Sequence, residues 1–211
     1  GTHQVVIEAT GAVVPERTVM LQPEISGVIR KEAEGFEVGR RFKKGEVMVR
    51  LDDRDLRLAL KQRRSSVTTA KFDLTLERGR AHVAQQEWQL LDGKVKTTSS
   101  GRALALRKPQ KLAAKARIAQ AQAALEQVRL NLTRTRVTAP FDCIVREKRA
   151  TIGQVVSPGA PIATLVGTRR FFVNVSVPVN RLSSLAVPGL NATEGALVHI
   201  SQQGGGRHAR T

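Results

Sequence analysis

The chain has 211 residues, with 35 Lys+Arg against 18 Asp+Glu for a formal charge of +17 at pH 7. That length allows one or two modules, and 41% hydrophobic residues is enough for a packed core and too much for a wholly disordered polymer. Six Phe, one Trp and no Tyr leave the core to aliphatic side chains and offer few platforms for stacking single-stranded bases. One cysteine, Cys143, excludes an intrachain disulfide and any multi-thiolate zinc site within the chain. No stretch approaches the ~20 consecutive apolar residues of a spanning helix. The start, Gly1-Thr2-His3-Gln4, lacks the basic and apolar regions of a signal peptide, which fits a cytosolic chain or a mature or trimmed form of an exported one.

In chain order, the first 52 residues carry glycine, proline and short Val/Ile runs, the composition of strands and turns. Within them, residues 25–52 pass from an apolar start through Gly39 and Gly45, six residues apart, to a terminal apolar strand. Asp52, Asp53 and Asp55 follow. They fit no calcium loop and instead suit a helix N-terminus, where carboxylates accept orphan amide bonds and favour the dipole.

Residues 53–136 contain one proline, Pro109, and are rich in the helix formers Ala, Leu, Gln, Arg and Lys. Leu60, Val67, Leu74, Ala81 and Trp88 recur every seven residues, with Leu56, Ala70, Ala84 and Leu91 interleaved, which is a heptad seam. Leu104, Ala114, Ile118, Ala121, Leu125, Val128 and Leu132 continue one register, interrupted by Arg107 and Lys111. Between the two runs, Gly93 and Gly101 bracket a polar stretch with helix-stop and helix-start chemistry. The pattern predicts two antiparallel helices of about 35 to 40 residues, a rod of roughly 50 to 60 Å at ~1.5 Å per residue. Its second arm is the basic one: residues 93–136 hold 11 Lys+Arg and only Glu126. A solvated helix face and a surface for an anionic partner both fit that asymmetry.

After the helices, residues 140–167 repeat the glycine spacing with Gly153 and Gly159. Glycines at fixed offsets between short strands imply tight turns with positive φ. Two such half-motifs suggest one small sandwich built from pseudo-equivalent halves. Beyond it, Val173, Val175 and Val177 alternate as a strand does, and a glycine run at residues 204–206 reads as a loop or disordered end.

The matched halves with a heptad hairpin between them resemble the periplasmic adaptors, or membrane fusion proteins, of tripartite efflux systems. The resemblance rests on Pro23-Glu24-Ile25-Ser26-Gly27-Val28, Gly39, Lys43-Lys44-Gly45 and Leu51-Asp52 in the first half. In the second it rests on Leu130-Asn131-Leu132, Thr135-Arg136-Val137, Ala139-Pro140-Phe141-Asp142, Gly153 and Gly159, with Cys143 replacing the glycine that usually follows Ala-Pro-Phe-Asp. The short hairpin and Gly11-Ala12-Val13-Val14-Pro15 look most like adaptors of resistance-nodulation-division pumps.

The resemblance implies an α+β fold, with a long antiparallel coiled-coil hairpin inserted into a lipoyl-like β-sandwich and a partial adjoining β-barrel. The implied divisions are 1–19 with 168–211 for the barrel, 20–52 with 138–167 for the lipoyl-like domain, and 53–137 for the hairpin. It further implies a non-catalytic bridge between an inner-membrane transporter and an outer-membrane channel. Such adaptors self-associate into a ring, in the periplasm at the inner membrane of a Gram-negative bacterium, and bind no nucleic acid. The alternative from another class, suggested by the charge, is a basic coiled-coil nucleic-acid-binding protein.

In the family the hairpin tip meets the channel and often carries Arg-x3-Leu-x6-Ser. Here Glu87-x3-Leu91-x6-Thr98 is the nearest match, so Glu87, Leu91, Lys94, Lys96, Thr98 and Arg102 form the expected partner-binding tip. No cofactor, metal or catalytic group is expected. Lys43 and Lys44 lie inside one half, not on the hairpin between halves that a lipoyl or biotinyl carrier modifies. The four histidines are scattered, and Cys143 at a strand start suits a small buried core residue.

Overall fold

The computed structural model describes residues 6–91 and 98–201. Its first half holds β1 Gly11–Pro15, β2 Thr18–Leu21, β3 Gly27–Glu32, β4 Arg41–Phe42 and β5 Val47–Leu51. Helices α1 Arg54–Leu90, α2 Ser99–Ala105 and α3 Lys108–Arg134 follow. The chain then forms β6 Arg136–Thr138, β7 Cys143–Lys148, β8 Val155–Val156, β9 Ala163–Gly167, β10 Phe171–Val175 and the short α4 Val179–Leu182. One compact unit runs Arg17–Arg169, and a second is made of the described residues on either side of it.

The larger unit contains two four-stranded antiparallel sheets, ordered β2-β9-β7-β4 and β6-β5-β3-β8. Each takes two strands from either side of the helices, so neither half has a sheet of its own and the two fold only together. The core repeats at one constant sequence offset. Buried Ile29, Phe36, Phe42, Met48, Val49 and Leu51 correspond to Cys143, Ala150, Val156, Ile162, Ala163 and Leu165, as Gly39 and Gly45 correspond to Gly153 and Gly159. All four glycines have φ between 83° and 91°, where an L side chain is strained, with open space around each. The aromatic volume sits on one half: Phe36 and Phe42 meet edge to face at 6.0 Å, and Ala150 and Val156 occupy the equivalent places. Cys143 is buried, as a small core residue at a strand start should be.

Polar ties also cross between halves. Asp142, of the Ala-Pro-Phe-Asp run, accepts the Lys44 backbone N–H at 2.9 Å and so holds the Lys43-Lys44-Gly45 turn. Lys148 Nζ reaches Glu32 at 2.8 Å and Glu37 at 3.1 Å, above the Phe36 ring.

The helices pack through the predicted seam. Val67, Ala70, Leu74, Ala114 and Leu125 are buried, with Leu60, Ala81, Ala84, Trp88, Ile118, Ala121 and Val128 half-buried around them. Two seam members behave otherwise: Leu91 is 47% and Leu104 58% exposed. The second arm also departs from the expected single helix. It breaks between α2 and α3, with Leu106 closing one and Arg107 opening the other at φ 53°, ψ 28°. Pro109 is the cause. In a continuous helix it has no N–H for the carbonyl four residues back and its ring clashes there, whereas in the first turn of a new helix neither cost arises. The left-handed backbone at a non-glycine residue costs about 1–2 kcal/mol.

The helix starts differ in detail from the reading of the sequence. Among the acidic residues before α1, Asp53 occupies the cap position without a side-chain cap bond. Asp52 is the acceptor, taking the Arg54 N–H at 3.2 Å, the Arg54 guanidinium at 2.7 Å and Arg30 at 3.1 Å. Helix α2 begins ahead of Gly101, because Thr98 caps it by accepting the Gly101 N–H at 3.1 Å.

In the second unit β1 pairs antiparallel with β10, from Gly11 opposite Val175 to Pro15 opposite Phe171, joining the two segments expected to meet. Gly11 leaves no room for a side chain, since a Cβ there would lie 2.5 Å from the Asn174 carbonyl oxygen. Asn191 organises the loop after α4, accepting the Val187 N–H and donating to the Leu185 carbonyl, both at 2.8 Å.

Candidate functional site

The end of the hairpin carries four described residues of the expected tip. Glu87 projects from the last turns of α1 into solvent, Leu91 caps that helix half-covered, Thr98 caps α2, and Arg102 lies exposed on α2. Lys94 and Lys96 lie outside the described residues. Leu90, Leu91 and Leu104 add exposed apolar surface among those charges. Trp88, one turn before Leu91, is half-buried with its indole N–H enclosed and without a partner among the described residues. The described residues there combine apolar contact surface with a charged margin.

Sequence reasoning missed a second apolar stripe. On α1, Phe72, Leu76, Val83 and Leu90 are exposed at four- and seven-residue spacings on the face opposite the seam. Leu112 and Leu130, with alanines between them, do the same on α3. The signal was present as a second heptad series, hidden beneath the stronger seam.

Electrostatics at the hairpin's base is local. The guanidinium and backbone N–H of Arg54, followed by Arg30, hold the Asp52 carboxyl well below the usual carboxylate range. Arg134, at the end of α3, makes an ion contact with Glu24 at 2.6 Å, so each arm is tied to the sandwich by charge. Higher up, Arg107 and then Arg80 lower Glu77. The basic residues of the second arm do not form one uninterrupted anion-binding track: Arg129 is paired with Glu126 and Arg134 with Glu24. Burial pushes the Cys143 thiol upward, which suits packing and not nucleophilic attack. Among the described residues no three His, Cys, Asp or Glu side chains gather as a metal site, and no helix is long and apolar enough to cross a membrane.

A sandwich shared between two halves and interrupted by a coiled-coil hairpin defines the class of this protein. The chain belongs to the family described as CzcB-like, barrel-sandwich hybrid domain, whose model matches residues 17–166. It is similar to the toluene efflux pump periplasmic linker protein TtgD of Pseudomonas putida, 27% identical over 171 residues, 80% of this chain and 39% of that protein. It is also similar to the multidrug efflux pump subunit AcrA of Escherichia coli (strain K12), 26% identical over 195 residues, 90% of this chain and 46% of that one. The fold is shared with the crystal structure of MacA from Actinobacillus actinomycetemcomitans, at a TM-score of 0.57 and 20% identity over 83% of this chain and 57% of that one. The chain thus spans less than half the length of these curated relatives.

Proposed function

We propose that the protein is a periplasmic adaptor, a non-catalytic bridge between an inner-membrane efflux transporter and an outer-membrane channel, held at the inner membrane of a Gram-negative bacterium. The observation that carries this reading is the hairpin rooted in a two-half sandwich, with matched residues in a family whose relatives are named as pump linkers. In this reading the tip, including Glu87, Leu91, Lys94, Lys96, Thr98 and Arg102, docks on the channel. The sandwich (20–52 with 138–167) and hairpin (53–137) set the spacing, and the flanking segments (1–19 and 168–211) belong to the pump-side barrel.

The stripe of Phe72, Leu76, Val83 and Leu90 supports ring self-association, because an apolar face outside the seam needs a cover and a neighbouring hairpin supplies one. The nucleic-acid alternative draws no support from the fold or from the relatives.

The test is a photo-crosslinking amino acid at Arg102 in living cells, with Lys61, lower on α1, as control. An adduct with an outer-membrane protein at Arg102 and not at Lys61 is expected; equal or no capture at the two positions refutes tip docking. Replacing Lys94 and Lys96 by Glu lowers efflux through altered interface charge while stability moves by only about 0.5 kcal/mol, as surface changes do. Phe72→Glu shifts the molecular mass measured by light scattering toward the monomer.

A further inference from the structure

Arg107 is the sole non-glycine residue with positive φ among the described residues, in a conformation that glycine would take more readily. Its side chain explains the choice. The guanidinium reaches across to the other arm, where Nε and Nη2 both donate to Glu77 Oε2 at 3.1 and 2.8 Å. Glu77 is fixed in turn on its own helix, with Oε1 accepting from Arg80 Nη1 at 2.7 Å, and its side chain is only 15% exposed.

The joint is narrow. The Leu106 N–H donates to the Arg102 carbonyl and the Arg107 N–H to that of Leu104, closing α2, while the Arg107 carbonyl accepts the Lys111 N–H and opens α3. Beyond this point α2 approaches α1 less closely than α3 does. A cleft of about 290 Å³ lies beside the pair, lined by Glu77, Arg80, Gln110 and Arg117 among others. Within it the Gln110 Oε1 is buried without a partner among the described residues.

We propose that the Glu77–Arg107 ion pair is a latch on a hinge in the second arm. Pro109 interrupts the helix, the backbone at Arg107 is the pivot, and the cross-arm pair sets the angle at which α2 presents Arg102 and Leu104 beside Leu90 and Leu91. Arg107, and then Arg80, lower the Glu77 carboxyl pKa, so protonation does not release the latch near neutral pH.

Double electron–electron resonance on the purified chain tests this, in a Cys143→Ala background, with spin labels at Gln86→Cys and Ser100→Cys across the hinge. A reference pair, Lys71→Cys with Lys115→Cys, reports on the rod itself. The latched protein gives one narrow distance across the hinge. Glu77→Gln broadens it to at least about twice the width, since the tip then samples several orientations. Arg107→Gly, which keeps the backbone and loses the latch, broadens it as much. Arg80→Gln leaves it narrow, because Arg80 does not cross between the arms, and the reference pair stays constant in every variant. A broad starting distribution, unchanged width in Glu77→Gln and Arg107→Gly, equal broadening in Arg80→Gln, or loss of the reference distance each overturns the latch.

Discussion

Truncating one seam residue separates what holds the hairpin together from what merely covers it. Leu125 is 7% exposed where α3 faces α1, while Leu112, on the same helix, is 69% exposed. Leu125→Ala removes three carbons from that contact. At about 0.8 kcal/mol per buried methylene the transfer loss alone is about 2.4 kcal/mol, and an unfilled cavity raises it within the 2–5 kcal/mol range of such truncations. The seam is one layer deep and its neighbours Ile118, Ala121 and Val128 are half-buried, so the site can collapse and the cost falls at the low end, about 2–3 kcal/mol. For a chain of this size each kcal/mol moves the melting temperature by roughly 2–4 °C, giving a fall of about 5–10 °C. Leu112→Ala changes stability by no more than about 0.5 kcal/mol. Leu125→Asp is worse than either, because it leaves an unpaired charge or a neutralised acid between the helices. Thermal melts followed by far-ultraviolet circular dichroism, which the three helices dominate, measure all three. Equal melting temperatures for Leu125→Ala and Leu112→Ala would show that the arms are held by something other than the heptad seam.

Gly153→Ala, at φ 87°, lowers stability by about 1–2 kcal/mol in a urea titration although space for the methyl is open, since the cost is backbone strain. Asp52→Asn destabilises the protein at neutral pH. Asp52 has a depressed folded pKa, so its contribution is complete above the unfolded carboxylate value and is lost as pH falls toward the folded one. The gap between the two urea midpoints therefore narrows progressively below about pH 4. Cys143 resists alkylation in the native state, where burial raises its thiol and shields it, and reacts fully in guanidinium. Native-state labelling followed by intact mass checks it, and prompt modification would contradict its place in the core.

The sandwich was legible because its turns need a backbone that glycine supplies, and four glycines at matched spacing mark four such turns. The seam was legible because a seven-residue apolar period has few other causes in a proline-poor stretch. The interruption at Arg107 was not. Pro109 suits the first turn of a helix as well as its end, and nothing local to Arg107 announces an ion pair with Glu77, a contact between residues 30 apart in sequence. Leu104 fits the seam by count, but its register stops at the break. The tip is read as a docking surface only through likeness to relatives, because Leu90 continues the exposed heptad series without marking where it ends, and the charges around it follow no period.

The placement of stiffness follows from the same topology. Both arms leave the sandwich from strands that pair with each other, β5 with β6, in the register Val47–Thr138, Val49–Val137 and Arg50–Arg136. The ladder continues to the foot of the helices, where the Leu51 N–H donates to the Thr135 carbonyl at 2.8 Å. Thr135 is itself buried, its hydroxyl turned back to the Leu132 carbonyl at 2.7 Å. Splaying the arms at their base would break these bonds and expose buried polar groups, at a cost of about 1–3 kcal/mol for each group left unsatisfied. Toward the tip the second arm is interrupted at Arg107, where the ion pair with Glu77 crosses to the first arm. Bending is therefore resisted at the root, and under the proposed latch it would be taken up near Arg107 before it reached the sandwich.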